Sequence, residues 1–226
     1  MNLVLGTQQN VQQNKETEDE ILDKELENIL NHPAPNYFEP SYWNTRYEEE
    51  PEPFEWYQTW DSLKGALLPQ LKTKGKILEI GCGNSSVSFS LAQEGFERVV
   101  GIDVSNIVIE QNKQRYTGQD NLSFECCDCL EMKNFENETF DYVFDKGTMD
   151  SLICSNKSNE LISKLLSEVS RVLKPGGTYI VISYGTPNTR NVYFKGQNRL
   201  KISDTIEIEK PTEKGTFHYM YIIQKD

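Results

Sequence analysis

Residues 76–103 constrain the fold more than any other stretch of the chain. An apolar run at 76–80 leads directly into Gly81-Cys82-Gly83. A helical pattern opens at Asn84 or Ser85, and a second strand pattern at 98–102 ends on Asp103. Strand, glycine turn, helix and strand in that order make a nucleoside-binding βαβ unit. Glycine permits the sharp turn and the close approach of a ligand to the backbone. A carboxylate closing the second strand stands where it can accept both ribose hydroxyls. The bland alternatives are a plain turn for the glycines and a helix-start acid for Asp103. Ser86 stands where a dinucleotide fingerprint has its third glycine, and no Gly-Lys-Ser/Thr phosphate loop follows. The unit therefore suits a nucleoside that carries no pyrophosphate.

The alternation continues downstream. Strands are predicted at 76–80, 98–102, 121–126, 140–145 and 178–184, with helices at 60–71, 85–94, 105–116 and 158–173. That pattern predicts an α/β, Rossmann-like, doubly wound and mostly parallel sheet. The tail differs: 199–210 and 216–225 read as two long strands with Lys214-Gly215 in their connection, an antiparallel hairpin on one sheet edge. Residues 36–226 form the main domain in this reading. Residues 1–35 form an acidic, Gln/Asn-rich extension in which 17–30 has capping-box spacing and an apolar helical stripe. All three Trp fall within 36–60, a density of aromatics that predicts a cover folded over the core.

The motifs resemble those of the class I, seven-strand S-adenosylmethionine-dependent methyltransferases, whose ligand is a nucleoside without a pyrophosphate. Glu79, Gly81 and Gly83 match the first motif, Asp103 the ribose acid, and Cys127-Asp128-Cys129 the segment after the third strand. Arg171-Val172-Leu173-Lys174-Pro175-Gly176-Gly177 matches the turn before the fifth strand. Three further pieces narrow the resemblance: Tyr42-Trp43-Asn44-Thr45-Arg46-Tyr47, Phe54-Glu55-Trp56-Tyr57 and Asp145-Lys146-Gly147-Thr148-Met149-Asp150. Together they resemble the protein-lysine methyltransferases of the methyltransferase-like 13 type, which include enzymes acting on elongation factor 1-alpha. The usual third piece begins with Glu and has Leu in place of Met149. The resemblance implies cofactor contacts from Trp43, Tyr47, Trp56, Gly81, Gly83, Asp103, Val104, Asp128, Cys129 and Lys146. Lys146 alternatively serves as a structural ion-pair partner.

An unpaired charge within the first strand is costly, so Glu79 is expected to hold the glycine loop or the cofactor's amino end through hydrogen bonds. Asp145, at the end of the fourth strand, is the expected catalytic residue, orienting a lysine amine. No metal is expected, because the crowded Cys126, Cys127 and Cys129 lack a second cysteine pair and only two His exist. The same crowding favours a reducing, cytoplasmic setting. Net charge is −12, of which residues 1–60 contribute −10 from 13 acids and 3 bases. That balance disfavours nucleic acid and suits either a basic protein partner or a segment whose acids simply keep it solvated. No apolar run is long enough to span a membrane, and a monomer is expected. Two rival functions are a small-molecule methyltransferase, with 36–60 as a lid, and a non-catalytic partner subunit. Erosion of the glycine and acid positions would mark the latter, and none is seen.

Overall fold

Strand alternation and the helices between strands build a three-layer sandwich around a seven-stranded sheet. The computed structural model describes residues 35–197 and 199–226. The expected helix at 17–30 lies outside them. The strands are β1 Lys76–Ile80, β2 Arg98–Asp103, β3 Leu122–Cys126, β4 Phe140–Lys146, β5 Leu173–Ser183, β6 Leu200–Lys210 and β7 Glu213–Lys225. Their order across the sheet is β3-β2-β1-β4-β5-β7-β6. Pairing is parallel from β3 through β5 and antiparallel for β5 with β7 and β7 with β6. The mostly parallel, doubly wound sheet and its C-terminal hairpin are as the sequence predicts.

The helices are α1 Pro40–Glu49, α2 Trp60–Leu67 (continued by a 3-10 turn, Leu68–Gln70), α3 Val87–Gln93, α4 Asn106–Arg115, α5 Thr148–Ile153, α6 Ser158–Val172 and α7 Pro187–Phe194. A period of two divides the strand side chains between two cores. Leu78, Ile80, Val100, Ile102, Val143, Tyr179 and Val181 pack on the α6 side, where Ile162, Leu165, Leu166, Val169 and Val172 form its buried stripe. Each such fully buried aliphatic side chain is worth about 2 kcal/mol. Ile77, Val99, Phe144, Ile180 and Ile182 face the other way, onto Leu63 and Leu67 of α2 and Val87 and Leu91 of α3.

The structure corrects some sequence expectations. Helices α1, α5 and α7 were not expected. β5 starts at Leu173 rather than 178, but its register with β4 jumps from Leu173 to Thr178, so Lys174–Gly177 bulge out as the expected turn. In the hairpin the regular ladder ends at Glu209–Phe217, and one further bridge joins Lys210 to Glu213. Lys214-Gly215 therefore lies in a bulge, with Gly215 at φ 77°, and the chain reverses at Pro211-Thr212.

Candidate active site

The sheet reverses its winding between β1 and β4, and there the strand ends open onto a cavity of about 390 Å³. Ligands of open α/β sheets bind at such a point. Trp43, Tyr47, Trp56, Glu79, Gly81, Gly83, Asp103, Val104, Asp128, Cys129 and Lys146 all border this cavity.

The floor is the glycine turn. Gly81 and Gly83 have φ 59° and 51°, a region that penalises any side chain. A Cβ on Gly81 would collide with Thr148 Oγ1, and one on Gly83 would lie 2.7 Å from the Tyr47 hydroxyl. Asp103 is 6% exposed and accepts hydrogen bonds from Gly83 N (3.0 Å) and Ser105 N (2.9 Å). A carboxylate has about four acceptor sites, so acceptor capacity remains. Burial lifts its carboxyl to about 6, against the pull of those backbone N–H groups. Glu79 is buried on the α3 face and takes a hydrogen bond from the Ser88 hydroxyl. Burial lifts it to about 7. Asp128 is exposed at the β3 end and caps a turn through Leu130 N at 2.8 Å.

The roof is the aromatic segment. The Trp43 and Tyr47 rings stack at 5.9 Å, and Trp56 meets Trp43 edge-on at 6.2 Å. Arg46 lies over Phe54 and Trp56. Burial raises the Tyr47 phenol, and nearby Asp103 adds to the effect. Polar pins fix the segment: Asn84 Nδ2 donates to Glu52 O, Gln111 Nε2 to Tyr47 O, and Arg115 to Pro51 O. The firmest pin is Glu55, which sequence reading did not single out. It accepts from Ser86 N, Ser86 Oγ and Ser85 Oγ at 2.8 Å, and from Lys146 Nζ at 2.9 Å. Burial alone would raise its carboxyl; Lys146 and the serine donors outweigh this and hold it below the usual range. Ser85-Ser86 before α3 offered a signal, since a helix start needs an acceptor for its free N–H groups. Lys146 also donates to Trp56 O at 3.0 Å and is 3% exposed, so it both borders the cavity and pairs structurally.

Asp145 is placed differently from the expectation. It is fully buried on the α6 face and does not border the cavity. Its carboxylate accepts from Thr148 N and Met149 N at the start of α5 and from the Tyr179 hydroxyl at 2.9 Å. Strand alternation explains this: Asp145 and Lys146 point to opposite faces, and Lys146 has the cavity side. Within the 145–150 run, the carboxylate that does reach the cavity is Asp150, on α5. It accepts from Tyr57 Oη (3.0 Å), Ser183 Oγ (2.6 Å), Tyr184 N (2.8 Å) and Arg190 Nε (3.1 Å).

Residues 71–224 match the methyltransferase domain family. This chain belongs to that family. The methyltransferase is 32% identical over 200 residues to EEF1A lysine methyltransferase 4 of Mus musculus, spanning 84% of this chain and 76% of the relative. It is 36% identical over 160 residues to the eEF1A lysine and N-terminal methyltransferase of Homo sapiens, covering 69% of this chain but only 23% of that longer protein. In fold it resembles geranyl diphosphate C-methyltransferase of Streptomyces coelicolor A3(2), with TM-score 0.61, 17% identity and coverage of 86% and 99%. It is a class I enzyme, and its cofactor is S-adenosylmethionine. The cavity fits that group. The two glycines leave room that side chains would fill, and a buried carboxylate with spare acceptor capacity stands at the β2 end. Among the described residues, no helix is long and apolar enough to cross a membrane.

Proposed function

We propose that this methyltransferase modifies a lysine side chain of a protein, with elongation factor 1-alpha the first candidate. The observation that carries the reading is the acceptor end of the cavity. There Lys146, Gly147, Thr148 and Asp150 and the aromatic side chains of Tyr37, Trp56 and Tyr57 line a mostly apolar passage. The names of the two relatives above point to the same acceptor.

In this reading Asp103 receives the ribose hydroxyls, Asp128 and Cys129 flank the base, and Glu79 meets the cofactor's amino end. Trp43, Tyr47 and Trp56 cover it, and Lys146 anchors that cover. When bound, S-adenosylmethionine would supply a sulfonium-activated methyl group as the donor for in-line displacement by the amine. The protein's task is alignment and exclusion of water. A lysine amine has pKa near 10.4, and the aromatic passage lowers it by desolvation. Asp145 supports α5 from the opposite face and takes no part in contacting the amine.

The partner would be basic, complementing the acidic residues 1–60. All five cysteines are free thiols, which fits a cytoplasmic enzyme. Incubating the enzyme with a lysate and methyl-labelled cofactor tests the acceptor class. Label in a protein band supports the reading. Label confined to the small-molecule fraction overturns it.

A further inference from the structure

Tyr57 has the most unusual backbone at the site. Its φ is 64°, and Gln58 N donates to Trp56 O at 2.7 Å across it, closing a three-residue turn. Such a γ-turn of positive φ is rare and strained. Strain of this kind persists where the surroundings over-determine it, and it clusters at functional sites. The surroundings here are specific. The Tyr57 hydroxyl donates to Asp150, its ring lies 4.8 Å from His218, and His218 Nδ1 is held by Gln58 Nε2 at 3.1 Å. A Cβ on Gly147 would press on the Tyr57 ring.

Asp150 meets only donors: the hydroxyls of Tyr57 and Ser183, the backbone N–H of Tyr184 and the Arg190 guanidinium. The single hydroxyl hydrogen of Tyr57 is therefore committed to Asp150. What its oxygen still offers is lone pairs, and Tyr57 borders the cavity on the β4–β5 side, away from Asp103 and Asp128.

We propose that Asp150 is a positioning residue that fixes Tyr57 as an acceptor-only oxygen, and that this oxygen takes one N–H of the acceptor amine. This rests on the lysine reading above. An amine held through one N–H keeps its lone pair free, and the fixed phenol turns that lone pair along the passage. A neutral hydroxyl acceptor can also donate to such an oxygen, but a carboxylate cannot, so the site selects donors. Arg190, reaching Asp150 from α7, ties the geometry of the passage to that helix.

The test uses the full chain, unmethylated elongation factor 1-alpha as acceptor, and the demethylated cofactor product as binding probe. Tyr57→Phe keeps the ring and removes the oxygen. It should lower kcat about ten-fold or more while binding of the probe, read by calorimetry, changes less than about two-fold. Asp150→Asn should lower kcat similarly, and the double variant should be no slower than Tyr57→Phe alone, because Asp150 acts through Tyr57. Losses that multiply in the double variant assign Asp150 a structural role and overturn the inference. A folded Tyr57→Phe enzyme with full kcat overturns it as well, even if Asp150→Asn does not fold. If the wild type transfers no methyl to lysine, the lysine reading falls and takes this inference with it. Wild-type transfer with unimpaired variants overturns this inference alone.

Discussion

Asp103 and Glu79 carry the residue-scale consequences of burial. Asp103, proposed to receive the ribose hydroxyls, would have to be ionised to do so, and burial holds its carboxyl at about 6. Affinity for S-adenosylmethionine should therefore weaken as pH falls through about 6 and level off above it, because protonation consumes acceptor capacity. Calorimetry across that range checks this; a flat profile would remove Asp103 from the ribose. Asp103→Asn should flatten the dependence and lose about 1–3 kcal/mol of binding. At this scale the sequence was legible where backbone chemistry dictates residue type. Gly81, Gly83 and Asp103 were readable because a positive-φ turn and a strand-end acid leave recognisable marks. Asp145 was misplaced because adjacency in a motif says nothing about which face of a strand a side chain takes. Alternation from buried Val143 on the α6 face would have sent Asp145 there and left the cavity to Lys146 and, from α5, Asp150.

Among the elements, the aromatic segment lies over the cavity and Glu55 pins it there. Glu55 and Lys146 form a shielded pair, with side chains 18% and 3% exposed. Removing one charge of such a pair strands the other, which typically costs about 3 kcal/mol. Glu55→Gln should loosen the 40–57 segment, seen as faster proteolysis there and altered Trp fluorescence, and should weaken cofactor binding. A variant with unchanged proteolysis and affinity would show that the pin is incidental. The central strands β1, β2 and β4 were legible as short apolar runs because their side chains are buried on both sheet faces. Helices α1 and α7 were missed because neither has an apolar stripe: α1 buries only Tyr47 and α7 only Phe194. Proline at the first position of both, Pro40 and Pro187, was the available signal. Six-residue α5 is too short to show any period.

For the whole molecule, three buried carboxyls set the pH response of the ligand-free protein. Burial raises Asp103 to about 6 and both Glu79 and Asp145 to about 7. A raised folded-state pKa contributes stability that is present below the unfolded value, about 4, and lost as pH climbs through the folded one. Glu55, Asp141, Glu168 and His218 are shifted downward and act in the opposite sense, losing their contribution in more acid solution. The thermal midpoint without ligand should thus fall as pH rises from about 5 to 8, and Glu79→Gln should reduce that fall. A midpoint that rises over this interval would contradict it. The fold as a whole was legible because the strand–helix alternation and the two long tail strands leave a pattern in the sequence, while the seven-strand topology followed from the motifs' resemblance to a known family. The acceptor was not, since it is defined by a passage assembled from the cover, α5 and the ends of β4 and β5.

Delivery of a lysine amine through this passage to the cofactor's methyl is the step on which the proposed function rests. It is tested most directly by intact-mass analysis of elongation factor 1-alpha after incubation with the enzyme and S-adenosylmethionine, followed by fragment mapping. Methyl groups should appear on lysine, at a rate that rises between about pH 7 and 9 as the neutral amine fraction grows. Methyl groups found only on arginine, only at a chain terminus or only on small metabolites would contradict it.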